Sequence, residues 1–313
     1  MPAFSSRRLA PVMTGACLIL LAGCGSSSDS TSGTGAAQSP AAASVIPVVA
    51  STDVYGSIAE RIGGGKVAVT SIISDPDQDP HSYEANTQNQ LALSKAKVVI
   101  ENGGGYDDFI DRMLKTGGNS SAQVINAVKV SGKGAPAGGE LNEHVWYDFP
   151  TVAKLADRIA TALAKADPDD AATFTKHAKD FEEKLKPLEQ KEAEIKADHG
   201  GEAVAITEPV PLYMIEASGL KNATPAAFSE AIEEGDDVSA RTLRDTLALF
   251  TGKKVKALVY NEQTSGPQTE KAEQAAKAAG IPVVPVTETL PKGEDYLGWM
   301  TANVDALANA LAK

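Results

Sequence analysis

Cysteine is almost missing from this chain: Cys17 and Cys24 are the only two in 313 residues. Everything after residue 24 therefore lacks disulfides and thiolate ligands, which excludes a disulfide-stapled scaffold and any Cys-ligated zinc or haem. Stability must come from buried apolar side chains, and the chain is long enough for one or two cores. Positive charge is scarce as well, with 29 Lys and Arg against 41 Asp and Glu and a net charge of -12. A surface of that sign does not suit nucleic acid or anionic lipid head groups. It suits a cationic ligand, although most of the charge is solvated surface. Aromatic residues make up 5%, too few for the large aromatic pocket that an iron chelate or a corrinoid needs. Histidine occurs four times, so each one can be weighed.

Long hydrophobic runs are also lacking. Leu9 to Ala22 is apolar but short, is interrupted by Pro11 and Gly15, and follows the basic pair Arg7-Arg8. It reads as a secretory signal peptide and not as a permanent span. Sec and twin-arginine export both stay open. The stretch ends in Leu21-Ala22-Gly23-Cys24, which resembles the bacterial lipobox. That resemblance implies cleavage before Cys24, acylation of Cys24 and an extracytoplasmic protein anchored to the cell membrane by its lipid. Residues Gly25 to Ala43 are nearly all Gly, Ser, Thr and Ala, a composition that stays a flexible linker.

What is present after residue 44 is alternation. The β-branched runs Val45–Ala50, Val67–Ile73, Val98–Glu101, Ala203–Thr207, Val255–Tyr260 and Pro282–Val286 are separated by amphipathic segments such as Val54–Ile62, Gln88–Lys95, Tyr106–Leu114 and Thr242–Phe250. This predicts an α/β protein with mostly parallel sheets flanked by helices. The halves echo each other: Lys95-Ala96-Lys97-Val98-Val99-Ile100-Glu101-Asn102 parallels Lys254-Val255-Lys256-Ala257-Leu258-Val259-Tyr260-Asn261, which favours two lobes of one type. Between them lie two helical stretches. Thr151–Ala166 carries Val152, Leu155, Ile159 and Leu163 on one face, and Asp169–Asp198 carries Phe174, Phe181, Leu185, Leu188 and Ile195. The second reads as a largely exposed connector kinked at Pro187, and a helical connection of this kind restricts hinge motion. The expected division is a signal peptide at 1–23, a lipidated linker at 24–43, an N-terminal lobe at 44–166, a connecting helix at 167–200 and a C-terminal lobe at 201–313.

His177 and His199 fall on the polar connector and at its end, and are expected to face solvent. His81, in Asp79-Pro80-His81-Ser82-Tyr83-Glu84, follows a strand, and His144, in Glu143-His144-Val145-Trp146-Tyr147-Asp148, precedes a helix. Loops at the carboxyl ends of parallel strands are where open α/β sheets bind ligands, although a lone loop histidine is more often structural or merely exposed. Glu208 and Glu288 directly follow strands in the second half. As single residues they are ordinary surface acids. Together, two imidazoles and two carboxylates make a four-ligand set that would cancel the charge of a divalent ion.

The Asp79–Glu84 motif, Ser94-Lys95-Ala96 ahead of a strand ending in Asn102-Gly103, and His144-Val145-Trp146 together resemble the zinc/manganese class of ABC-transporter solute-binding lipoproteins, from Val48 to the C-terminal helix. The resemblance implies two α/β lobes joined by a long helix, and a non-enzymatic monomer that binds one zinc, manganese or iron ion in the inter-lobe cleft. It also implies delivery to a membrane permease driven by a cytoplasmic ATPase. Carried over by position, the ligands are His81, His144, Glu208 and Glu288. The family pattern Asp-Pro-His-Val-Trp reads Asn142-Glu143-His144-Val145-Trp146 here. Glutamate stands at 208 where zinc importers commonly have histidine, Glu288 replaces an aspartate, and Val130–Leu141 holds no histidine. Replacing imidazole by oxygen leans toward manganese or iron, while intrinsic affinity still favours zinc in vitro. Two other readings are a secreted metal-dependent hydrolase and a metal-stabilised surface adhesion protein. The first would want an open metal position, a His-Glu-x-x-His helix or a nucleophile elbow, and neither motif occurs.

Overall fold

The computed structural model describes residues 45–75, 78, 83–84, 86–136 and 139–313. The signal peptide, the linker, Cys24 and His81 lie outside the described residues. Ala42–Lys313 forms one compact unit, and no described helix is long and apolar enough to cross a membrane.

The first half contains β1 (Ile46–Thr52), α1 (Asp53–Gly63), β2 (Val67–Ile73), α2 (Thr87–Lys95), β3 (Val98–Glu101), α3 (Phe109–Gly117), β4 (Gln123–Asn126) and α4 (Ala127–Ser131). Its four strands lie parallel in the order β2-β1-β3-β4. Two long helices follow, α5 (Phe149–Ala166) and α6 (Ala171–His199). The second half contains β5 (Ala203–Ile206), α7 (Leu212–Ala217), β6 (Lys221–Asn222), α8 (Ala226–Glu233), α9 (Ala240–Thr251), β7 (Leu258–Asn261), α10 (Pro267–Ala278), β8 (Val283–Val286) and α11 (Tyr296–Leu311). Its strands are again parallel, in the order β6-β5-β7-β8. The fold is two α/β lobes joined by a long helix.

Central strands explain why the alternation was readable. β3 and β7 are buried at every position and β1 at all but one, so they read as unbroken apolar runs, as parallel strands covered on both faces must. Of the edge strands, β4 is short and mostly part-exposed and β6 is two exposed residues, and the sequence did not announce them.

In both sheets the chain runs from an inner strand out to one edge, then crosses back to the other side. The crossings leave crevices at the carboxyl ends of β1 and β3, and of β5 and β7, the positions where such sheets take ligands. Asp53 and Asn102 open the first crevice, and Glu208 and Asn261 the second.

Most residues of the connector are exposed, and one face of it is buried. α6 buries Phe174, Ala178, Phe181, Leu185, Leu188, Glu192 and Ile195, packs along α5, and receives α11 on its other side. Its helical assignment runs through Pro187 without a break. One apolar cluster extends from β1 and β3 through α5, α6 and α11 to β5, β7 and β8. The outer faces of the two sheets have their own smaller cores beneath α2 and α3, and beneath α8, α9 and α10.

Candidate metal centre

His144 enters the fold on a 3-10 turn, Val145–Tyr147, that leads into α5. Trp146, Tyr147 and Phe149 are all buried and fix the turn from below. The imidazole is completely buried between the rings of Tyr106 and Trp146, at centroid distances of 5.9 and 5.0 Å. Its Nδ1 lies 2.7 Å from Oδ1 of Asn142, an oxygen that also accepts from the His144 backbone N–H at 3.1 Å. Asn142 Nδ2 in turn donates to the Pro209 carbonyl of the second half at 3.1 Å. An amide oxygen can only accept, so Nδ1 carries the proton toward Asn142, and Nε2 is left to face the cleft. Asn142 stands where the family pattern has aspartate, and its amide oxygen fixes the orientation of the His144 ring.

Nε2 of His144 has no hydrogen-bond partner and lies 3.8 Å from Oε2 of Glu288 and 3.6 Å from Oε1 of Glu233. Glu208 and Glu288, 2% and 4% exposed, meet across Asn261. The Asn261 Nδ2 donates to Oε1 of Glu288 at 2.8 Å and to Glu208, which also accepts from the Thr264 hydroxyl. Oε2 of Glu288 accepts from Tyr106 Oη at 3.2 Å, and the Glu288 backbone N–H donates to the Gln263 side chain at 2.5 Å. The structure thus brings together His144, Glu208 and Glu288, three of the four side chains expected from the sequence. His81 is not described.

The electrostatics of this cluster favour a cation. Burial, followed by the charge of Glu288, pushes the Glu208 carboxyl up to about 7. Burial pushes Glu233 up to about 8, with His144 opposing. Burial alone would lower the His144 imidazole, but the facing Glu288 carboxylate and the charges of Glu233 and Glu143 outweigh it and raise it to about 9. The cluster therefore holds protons where a divalent ion would otherwise neutralise the carboxylates.

Sequence reasoning missed Asn142, Tyr106, Asn261, Thr264 and Glu233. Asn261 had a signal, because the internal echo sets Asn102 and Asn261 at the ends of equivalent strands. Asn102 holds the first crevice, accepting from Tyr55 Oη and donating to the Glu143 carbonyl at 3.1 Å. Glu233 had none, since it sits in an acidic helix end that reads as solvated surface. The other two histidines are half-buried rather than solvent-facing: His177 Nδ1 lies 2.9 Å from the Ile62 carbonyl, and His199 pairs with Glu202 at 3.2 Å.

Residues 48–310 match the family described as zinc-uptake complex component A, periplasmic. The chain is 28% identical over 280 residues to the manganese-binding lipoprotein MntA of Bacillus subtilis, covering 85% of this chain and 90% of that protein. It is 27% identical over 289 residues to the iron ABC transporter substrate-binding lipoprotein MtsA of Streptococcus pyogenes, covering 86% and 89%. The fold superposes on a mutant structure of the laminin-binding adhesin Lmb from Streptococcus agalactiae with a TM-score of 0.73 at 21% identity, over 85% of this chain and 99% of the other. The chain belongs to the family of metal-binding substrate-binding components of ABC transporters, which are binding proteins and not enzymes.

Proposed function

We propose that the chain is an extracytoplasmic lipoprotein that captures one divalent transition-metal ion, zinc, manganese or iron, and hands it to the permease and cytoplasmic ATPase of an ABC importer. The ligands are His81, His144, Glu208 and Glu288. Residues 1–23 are the signal peptide, Cys24 is the lipid anchor and 24–43 the tether. The N-terminal lobe at 44–166 and the C-terminal lobe at 201–313, joined by the helix at 167–200, hold the ion between them. The protein acts as a monomer.

The observation that supports this reading best is His144. A fully buried imidazole, fixed through Nδ1 and turning Nε2 toward the carboxylates of Glu233 and Glu288, is arranged as a ligand to a cation. Glu208 in place of histidine, and relatives named for manganese and iron, favour those ions as transported substrates. Zinc still binds at least as tightly in vitro.

A chelator-stripped sample melted with and without added zinc, manganese or ferrous iron tests the reading. A saturable rise in Tm that disappears in both His81→Ala and His144→Ala supports it. No shift with any of the three ions, in a demonstrably folded protein, would rule it out.

A further inference from the structure

Glu233 is the last residue of α8, just ahead of the left-handed turn at Gly235 (φ 70°). Its side chain is 13% exposed, and its Oε1 is buried without a hydrogen-bond partner 3.6 Å from the equally unpartnered Nε2 of His144. Glu143 joins them: one ligand atom from each of Glu143, His144 and Glu233 lies within 4.8 Å of the others. Glu143 occupies the position where the family pattern has proline, and Glu233 is outside the four-ligand set. On its outer side Glu233 lines a cleft of about 480 Å³ with Glu140, Glu143, Glu230 and Glu234. The acidic cleft alone would say little. The fully buried imidazole aimed at Glu233 is a separate observation, and it marks the space between them as a place for a cation.

We propose that Glu233 is an additional inner-shell ligand of the transported ion and that it biases the site toward manganese or ferrous iron over zinc. This rests on the metal-binding reading above. Two imidazoles and two carboxylates already complete the tetrahedral shell that zinc prefers, so a fifth donor gives zinc little. Oxygen donors and higher coordination suit the harder ions, and a third carboxylate from α8 supplies both.

The test titrates the metal-stripped, full-length chain in detergent with Mn²⁺ and with Zn²⁺, as wild type, Glu233→Gln and Glu208→Gln. A lost ligand group should weaken Mn²⁺ binding by roughly tenfold or more in Glu233→Gln, with Zn²⁺ changed by less than about threefold. Glu208→Gln should weaken both. A crystal structure of the manganese-loaded wild type should show a Glu233 oxygen in the inner shell, and it decides the matter if the Glu233→Gln protein does not fold. Equal losses for the two metals, no loss for either while Glu208→Gln loses both, or a loaded structure with Glu233 outside the shell overturns the proposal. If wild type binds neither metal, or Glu208→Gln binds both unchanged, the four-ligand reading itself has failed and takes the proposal with it.

Discussion

At the scale of the residue, the site is a set of groups whose protons and whose ion compete. His144 is raised to about 9 and Glu208 to about 7, so near pH 6 both hold protons that a bound ion must displace. Metal affinity should therefore climb from pH 6 to pH 9. Calorimetry in two buffers of different ionisation enthalpy should find roughly two protons released per ion near pH 6 from His144 and Glu208, with a third where Glu233, raised to about 8, binds the ion, and few above pH 9. Release of none at pH 6 would contradict the assignment. Without metal the dependence on pH runs the other way. Stability drawn from these shifts is complete below the ordinary values of the groups and is lost as pH rises through about 7 and then about 9. Asn142 offers a second test. Asn142→Ala frees the imidazole from its Nδ1 partner and should cost about 10- to 100-fold in metal affinity, read by titration, with the protein still folded. His144, Glu208 and Glu288 could be picked out in the sequence because each sits beside a strand end or helix start. Of their supporting amides, Asn261 left only the internal echo and Asn142 left nothing, because asparagine is a common loop and turn residue and carries no periodicity.

At the scale of the element, α6 decides more than its composition suggests. Within its Lys- and Glu-rich sequence the stripe of apolar residues spaced three to four apart was legible, and burial follows that stripe rather than the average. Phe181, 1% exposed and 6.0 Å from the ring of Tyr296, ties α6 to α11. Phe181→Ala should destabilise by about 3–5 kcal/mol, measured by denaturant unfolding. Within the same stripe lies Glu192, 4% exposed, with Oε1 unpartnered. Burial, then the charges of Asp148 and Glu189, raise it to about 8. An acid raised in the folded state contributes stability that is intact below about 4.5 and lost as pH rises through about 8. Glu192→Gln, which keeps the shape and removes the charge, should unfold at higher denaturant than wild type at pH 8.5 and at the same concentration at pH 4.5. The gap should be on the order of a few kcal/mol, and an equal midpoint at pH 8.5 would refute it. The same dependence on burial accounts for what the fold kept from the sequence. Central strands, buried on both faces, were legible as β-branched runs, while β4 and β6, at the sheet edges, had too few buried positions to leave a pattern.

At the scale of the whole molecule, the continuous core that joins the inner faces of both sheets sets how far the lobes can part. Hydrogen bonds cross the same junction, from Tyr147 Oη to the Thr287 carbonyl at 2.8 Å and from Tyr296 Oη to the Trp146 carbonyl at 2.6 Å. A wide hinge opening would expose that shared apolar surface at a cost of about 25 cal/mol for each Å², and would strip the buried donors of their partners. Binding energy is then spent on local order at the site and not on swinging the lobes together. A ligand that binds only the folded state at 100 times its Kd stabilises it by about 2.7 kcal/mol, which for a protein of this size raises Tm by roughly 5–10 °C. The expected result is a rise of that order on adding metal with no change in the radius of gyration by small-angle scattering. A marked contraction on loading would mean that the core between the sheets opens in the metal-free protein, and that the helical spine is a hinge.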